Sequence, residues 1–153
     1  MGTRANIKIV SGKNVLWLYK HCDGYPSAVV PDIRHLFQTM MEEKNPHYHW
    51  MTYGYKIATA FIVYNTSIEK EWDYRTGEMI IVGKSELWSD YSIDYDQAGD
   101  SKWLYTIEIE LPMTFMTNDK DVKWTITIED LIKGTLQRFT LNCDNYKEAT
   151  AWE

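Results

Sequence analysis

Between Leu16 and Phe37 the sequence passes from an alternating apolar strand, through a polar turn, into an amphipathic helix. The turn spans residues 21–27 and carries His, Asp and Tyr side chains beside Gly and Pro. In small α+β domains, functional groups commonly lie on loops that rigid elements hold in place. We therefore expect this strand–turn–helix unit to organise the fold and to supply its candidate site.

The strand of this unit is the second half of a predicted β-hairpin. Residues Ala5–Val10 and Asn14–Lys20 flank Gly12-Lys13, which is a typical two-residue hairpin turn. The resulting register gives the hairpin one apolar side, made of Ile7, Ile9, Leu16 and Leu18. A shift by one residue would expose these side chains, so their burial fixes the register.

The opposite side of the hairpin is polar and aromatic. It carries Trp17 and Tyr19, which we predict to be interface residues, because Trp and Tyr are enriched at binding hot spots. The same register places Arg4 opposite His21 at the open end. The hairpin should therefore bring a guanidinium group to the start of the turn.

The turn itself has a defined chemistry. Asp23-Gly24 favours a tight turn in which Gly24 takes a positive φ, and Pro26 biases Tyr25 towards an extended backbone with a projecting ring. Pro31 suits the first position of the following helix. That helix should bury a stripe made of Ile33, Leu36, Phe37, Met40 and Met41 and end at Asn45-Pro46.

The remaining residues predict a second helix and further strands. The second helix is Met51–Tyr64, and the strands are Glu71–Tyr74 with Glu78–Val82, Asp90–Tyr95 with Trp103–Leu111, Val122–Ile128 and Leu136–Leu141. The elements add up to an α+β fold, with a mainly antiparallel sheet of six or seven strands and two helices packed on one side. We expect one domain over 1–153, with 144–153 as a loosely held C-terminal tail.

Charge and composition exclude several classes of function. The net charge is −6 with a pI of about 5.2, and no cluster of Lys and Arg is present, which argues against broad nucleic-acid binding. No apolar run approaches the roughly 20 residues that span a bilayer. The two cysteines, without a secretory segment, indicate free thiols in a reducing, cytoplasmic compartment.

A candidate ligand site consists of Arg4, His21, Asp23, Gly24 and Tyr25. Arginine binds anions in a bidentate manner, His and Asp supply hydrogen bonds, and Tyr supplies a stacking surface. A nucleotide-like small molecule, with a phosphate or carboxylate group, would suit this mixture. The alternative is that Arg4 and Asp23 pair with each other and have a structural role only.

Other reactive residues form weaker patterns. His47 and His49 alternate and, on a strand, could ligate zinc together with His21 or His35. Cys22 follows His21 directly, but adjacent strand residues point apart, which argues against a thiol nucleophile. The acidic segment 94–100 lacks a calcium-loop pattern and is interpreted as a solvated hairpin loop. We therefore predict neither a cofactor nor a metal.

Two motifs carry a resemblance to a known group of proteins. The motifs are Met1-Gly2-Thr3-Arg4-x-Asn6-Ile7 and Leu18-Tyr19-x-His21-x-Asp23-Gly24-Tyr25-Pro26. They resemble small, mostly uncharacterised bacteriophage and prophage proteins that open Met-Gly-Thr-Arg and carry a His-Trp-Asp-Gly-Tyr element. Cys22 stands where that group often has Trp. The resemblance covers about the first quarter of the chain and implies a viral accessory protein in a bacterial cytoplasm.

Two classes of function follow. The first is a non-enzymatic phage accessory protein, acting on host defence or host takeover, that sequesters a nucleotide-like small molecule or blocks a host protein. The alternative is a small hydrolase or nuclease that uses His21 and Asp23, with a metal at His47 and His49. Exposed strand edges would also allow a symmetric homodimer.

Overall fold

The computed structural model describes residues 2–112 and 118–148. This part of the chain contains two α-helices and eight strands. The strands are β1 Ala5–Ser11, β2 Asn14–Lys20, β3 Thr66–Asp73, β4 Glu78–Ser89, β5 Tyr91–Asp94, β6 Trp103–Ile109, β7 Lys123–Asp130 and β8 Leu136–Asn142. The helices are α1 Pro26–Met41 and α2 Gly54–Tyr64, and 3₁₀ turns span Tyr48–Thr52 and Asp119–Asp121.

Six strands form one sheet in the order β5-β2-β1-β6-β7-β8, and β3 and β4 form a separate two-stranded sheet. Every pairing in the large sheet is antiparallel except that of β1 with β6, which is parallel. The predicted α+β class with a mainly antiparallel sheet is confirmed. One face of the large sheet and the two helices enclose a continuous apolar core.

The predicted β1–β2 register is confirmed. Ile7 lies opposite Leu18 and Ile9 opposite Leu16, and all but Leu16 are fully buried. The N-terminal hairpin lies inside the large sheet, with β5 on one flank and β6 on the other.

The predicted pairing of Asp90–Tyr95 with Trp103–Leu111 is wrong. β5 pairs with β2, and β6 crosses over to lie parallel to β1. The side chain of Tyr91 accounts for the position of β5, because its ring packs edge-on against Phe61 of α2 at 4.5 Å. Its hydroxyl also donates a 2.6 Å hydrogen bond to Asp32 of α1. A hairpin with β6 would have lost both contacts.

Both helices differ from their predicted bounds. α1 begins at Pro26 rather than at Pro31, which lies inside the helix. The earlier start is favoured because it buries Val29 and Val30. Pro26 suits the first turn, because the backbone N–H groups of a first turn have no hydrogen-bond partner within the helix and proline lacks this group. α2 begins at Gly54, after the 3₁₀ turn, rather than at Met51.

The sheet of β3 and β4, which we name the β3–β4 arm, is longer than predicted. Consecutive residues are exposed in both strands, over 68–72 in β3 and over 78–82 at the start of β4. Because neighbouring strand residues point to opposite faces, both faces of the arm are open to solvent. The arm therefore projects from the domain instead of covering its core.

The C-terminal segment predicted as a loose tail is described up to Glu148. Residues 144–148 form turns after β8, and Tyr146 packs on Phe37 with ring centroids 5.9 Å apart. The guanidinium of Arg34 donates to the carbonyl of Glu148. Packing and hydrogen bonding therefore hold this part of the segment against α1, and 149–153 lie outside the described residues.

The Tyr91 hydroxyl gives a test of how α1 is fixed to the sheet. Burial, followed by the Asp32 carboxylate, raises the pKa of Tyr91 well above its ordinary value, which keeps the phenol protonated as a donor. Tyr91→Phe should lower the free energy of unfolding by about 1.5 to 3 kcal/mol, the cost of losing one hydrogen bond to a charged group.

Urea denaturation followed by tryptophan fluorescence measures this change. The matched control is Tyr95→Phe. Because Tyr95 is 98% exposed, this substitution should leave the unfolding midpoint unchanged. Equal midpoints for the two variants would show that the Tyr91–Asp32 bond does not stabilise the packing of α1.

Candidate functional site

The N-terminal segment before β1 packs directly on the turn between β2 and α1. The amide of Gly24 donates a 2.7 Å hydrogen bond to the carbonyl of Thr3. A Cβ at Gly24 would lie 2.7 Å from the Ala5 Cβ, and one at Gly2 would overlap the side chain of Cys22. The two glycines therefore allow the Met-Gly-Thr-Arg segment and the Asp-Gly turn to lie in direct backbone contact.

The conformation of the turn differs in one respect from the prediction. Asp23, not Gly24, takes the positive φ, at 56°, a conformation that Asp tolerates better than most residues. Gly24 is needed for close approach instead, and its carbonyl accepts a 2.7 Å hydrogen bond from the buried Tyr105 hydroxyl. The predicted extended backbone of Tyr25 is confirmed by φ −74° and ψ 158°.

The predicted meeting of Arg4 and His21 is confirmed. Arg4 Nε lies 3.5 Å from His21 Nδ1 and 3.2 Å from the Asp100 carboxylate. The Arg4 side chain is 29% exposed, so solvent reaches part of the guanidinium. We name Arg4, Tyr19, His21 and Asp100 the Arg4 corner.

Tyr19 joins the same group through its hydroxyl, which lies 3.3 Å from both carboxylate oxygens of Asp100. Partial burial, followed by the negative charge of Asp100, raises the pKa of Tyr19. The phenol therefore remains a hydrogen-bond donor to Asp100 at neutral pH. Asp100 thus accepts from Tyr19 while it neutralises the positive charge of Arg4.

Asp23 and Tyr25 form a second, separate pair. The Tyr25 hydroxyl donates a 3.1 Å hydrogen bond to Asp23 Oδ1, and this bond raises the pKa of Tyr25. The Tyr25 ring is 41% exposed, as its position before Pro26 predicts. The alternative in which Arg4 pairs with Asp23 is not what the structure shows, since Arg4 pairs with Asp100.

Asn6 and Asp100 are site residues that the sequence analysis missed. Asn6 is fully buried, and its Nδ2 donates to the Leu18 carbonyl at 2.9 Å and to Asp94 at 3.3 Å. Its Oδ1 accepts 2.7 Å hydrogen bonds from the Ala98 amide and the Ser101 hydroxyl.

The acidic segment 94–100 is therefore not a solvated hairpin loop. Asn6 holds it across the sheet, and this position places Asp100 beside Arg4. The cluster of Asp residues in the segment 94–100 was the one feature of the sequence that pointed to Asp100 as a site residue.

The two predicted interface residues lie in different surroundings. Trp17 lies beneath the Lys8 ammonium, 5.4 Å from the ring centroid, and lines an apolar cleft of about 280 Å³ between β2, β5 and α2. Tyr19 has its hydroxyl engaged by Asp100. Tyr19 thus belongs to the Arg4 corner, while Trp17 contacts Lys8 and lies outside that corner.

His47 and His49 do not lie on a strand, so the alternation that would have placed both on one side is absent. His47 precedes the 3₁₀ turn that contains His49, and the His47 ring stacks on Trp50 at 4.1 Å. Within residues 2–112 and 118–148, no three His, Cys, Asp or Glu side chains are placed to hold a metal ion. Cys22 is an exposed free thiol, and the neighbouring His21 side chain contacts Arg4.

The β3–β4 arm carries a group of exposed apolar side chains. Trp72 is 49% exposed and Ile81 is 65% exposed. The other members of the group are Ile68, Tyr74, Met79, Ile80, Val82, Leu87 and Trp88. Soluble monomers rarely leave such a group uncovered, so the arm is a candidate interaction surface.

The fold and its surfaces define an α+β domain with a polar corner and a projecting two-stranded arm. No family model, curated protein or solved structure matches this chain. Neither α1 nor α2, the helices of the described parts of the chain, has the length and hydropathy required to span a membrane.

The close approach of Gly24 gives a test of how the corner is built. Gly24→Ala places a Cβ 2.9 Å from the Ala5 backbone nitrogen, which cannot be relieved by rotating a side chain. We expect the free energy of unfolding to fall by about 1 to 3 kcal/mol, as for other overpacked sites, in chemical denaturation.

Gly99→Ala is the matched control, because nothing lies within 4 Å of a Cβ at that position. It should leave stability unchanged or raise it slightly, since alanine reduces the entropy of the unfolded chain. A Gly24→Ala variant as stable as wild type would mean that the N-terminal segment does not pack closely on the turn.

Proposed function

We propose that this chain is a non-enzymatic accessory protein that acts by binding another protein through the β3–β4 arm. The observation that carries the proposal is the exposure of apolar side chains along both strands of the arm. With the resemblance to bacteriophage and prophage proteins, we infer a viral protein of the host cytoplasm. Its role would be to block a host protein, in host defence or in host takeover.

The energetics of an isolated hairpin support this function. A two-stranded sheet with solvent on both faces is marginally stable alone, and each large apolar side chain that a partner covers contributes about 1.5 to 3 kcal/mol. Trp72 and Trp88 belong to the residue type most enriched at hot spots. A partner that covers the arm would therefore stabilise it and bind tightly.

An enzymatic function has less support from the geometry. The hydrolase alternative needs His21 and Asp23 to act together, but His21 contacts Arg4 and Asp23 accepts from Tyr25. No hydrogen bond or ion pair joins His21 to Asp23 in the described chain. General acid–base catalysis requires such groups to share one reacting position.

A second candidate function is the binding of a nucleotide-like small molecule at the Arg4 corner. The partly exposed guanidinium of Arg4 and the exposed ring of Tyr25 favour it, since phosphate and base could contact these groups. Asp100 opposes it, because its carboxylate lies 3.2 Å from Arg4 Nε and repels an incoming anion. The protein partner is therefore the better-supported function.

Removal of arm side chains tests the leading proposal. Wild-type protein used as bait in a bacterial lysate should retain a specific host protein. The double variant Trp72→Ala with Ile81→Ala should recover about tenfold less of that host protein, or even less, as expected for hot-spot truncations. Tyr95→Ala is the matched control, because Tyr95 is exposed but lies outside the arm.

Circular dichroism and a thermal melt confirm that each bait is folded. The proposal fails if the arm variant retains the same host protein as wild type, or if Tyr95→Ala loses it to the same extent.

The second function has its own test. Isothermal titration with nucleoside monophosphates should detect weak binding to wild type, and Asp100→Asn should strengthen it by about tenfold because one repelling charge is removed. Arg4→Gln should abolish the heat of nucleotide binding. Asp96→Asn in the same loop removes an equal charge and serves as control, and an equal gain in that variant would exclude a specific effect of Asp100.

A further inference from the structure

The two faces of the β3–β4 arm differ in charge. Directly opposed residues in the register share a face, which puts the pairs Ile68–Lys84, Lys70–Ile81 and Trp72–Met79 on one face. We name these six residues the basic face, because it carries two lysines and no acid. The other face carries Glu69, Glu71, Asp73 and Glu78.

The apolar residues of the basic face form a diagonal stripe with one lysine on each side. Ile68 on β3 and Ile81 on β4 are diagonal neighbours, and the stripe continues to the Trp72–Met79 pair. Lys84 flanks the stripe beside Ile68, and Lys70 flanks it beside Ile81. The pattern is an apolar track with a positive charge on either flank.

The edges of the arm are poorly suited to adding a strand. β3 presents Glu69, Lys70 and Glu71 in succession, and charged residues on an edge disfavour pairing with another strand. β4 has a bulge, because Glu69 lies opposite Gly83 while Lys70 lies opposite Ile81, which leaves Val82 without a partner. A partner should therefore dock on a face and not along an edge.

We propose, on the basis of the binding function given above, that the basic face receives an amphipathic helix of the partner protein. The helix presents an apolar stripe to Ile68, Ile81 and Trp72. Its carboxylates, on both sides of that stripe, pair with Lys70 and Lys84. This proposal identifies the occupant of the arm as an acidic amphipathic helix.

The dimensions of the face suit one helix. Two strands about 4.8 Å apart, with their side chains, give a surface roughly 10 Å wide, which matches the diameter of about 10 to 12 Å of an α-helix. Ile68 and Trp72 are about 13 Å apart along the strand. That length corresponds to between two and three helical turns.

Charge favours an acidic protein over nucleic acid on this face. A nucleic-acid site needs many cations, because each phosphate contact contributes separately, and the basic face has only two lysines. Its other members are mainly aliphatic.

A pair of designed peptides tests the assignment. Both are fluorescein-labelled helices of about 18 residues with one leucine stripe, flanked by Glu in one peptide and by Lys in the other. Fluorescence anisotropy should show that the Glu peptide binds wild-type protein at least about tenfold more tightly than the Lys peptide. Added salt should narrow this difference.

Variants assign the binding to the face. The double variant Lys70→Glu with Lys84→Glu should bind the Glu peptide about tenfold more weakly than wild type and should bind the Lys peptide more tightly. Lys44→Glu with Lys133→Glu changes the net charge equally at exposed positions outside the arm and should alter neither affinity by more than about twofold.

The proposal is overturned if the Lys peptide binds as tightly as the Glu peptide, or if the two double variants behave alike. Tighter binding of single-stranded DNA, or of vesicles with anionic lipid, than of the Glu peptide would also overturn it. If no peptide binds but arm truncation still removes the host protein from the lysate experiment, the helix assignment fails and the binding function stands.

Discussion

The buried amide of Asn6 holds three parts of the structure together. Its two polar atoms make four hydrogen bonds, to β2, to the end of β5 and to the loop that leads into β6. A buried amide without such partners would cost about 1 to 3 kcal/mol for each lost bond. Because every bond of Asn6 is made, the loop over residues 95–101 is held across the end of the sheet.

The path of that loop determines the rest of the topology. β5 is an edge strand beside β2, and the chain must cross the hairpin to place β6 on the far side of β1. The loop makes this crossing over Asn6 and carries Asp100 to Arg4. The Lys102 amide then donates to the Arg4 carbonyl at 2.9 Å, which starts the parallel pairing of β6 with β1.

Contacts of the site between residues of one hairpin could be predicted from the sequence, whereas contacts between residues far apart in the chain could not. The meeting of Arg4 with His21 follows from a local hairpin whose turn and apolar pattern fix the register. The contact of Arg4 with Asp100 depends on a crossing that no local pattern encodes. The position of β5 likewise depends on Tyr91 finding Phe61 and Asp32, which lie in two different helices.

Other differences arise where tertiary packing outweighs a local preference. Pro31 favours a helix start, but burial of Val29 and Val30 moves the start to Pro26. Gly24 favours a positive φ, but the approach of the N-terminal segment uses its missing side chain instead, and Asp23 takes the left-handed conformation. Pro31 therefore lies inside α1 instead of at its start, and Gly24 allows a close approach instead of taking a positive φ.

The Arg4 corner and the β3–β4 arm differ in how their interactions are satisfied. In the corner, Arg4, Tyr19 and His21 are engaged within the chain, and Asp100 offsets the positive charge of Arg4. Along the arm, apolar side chains have solvent on both faces, and opposite charges are separated onto different faces. A partner gains little free energy by displacing contacts that already exist, and more by covering apolar area that is still exposed. The arm therefore has more binding energy to offer than the corner, although the corner carries the more conspicuous residues in the sequence.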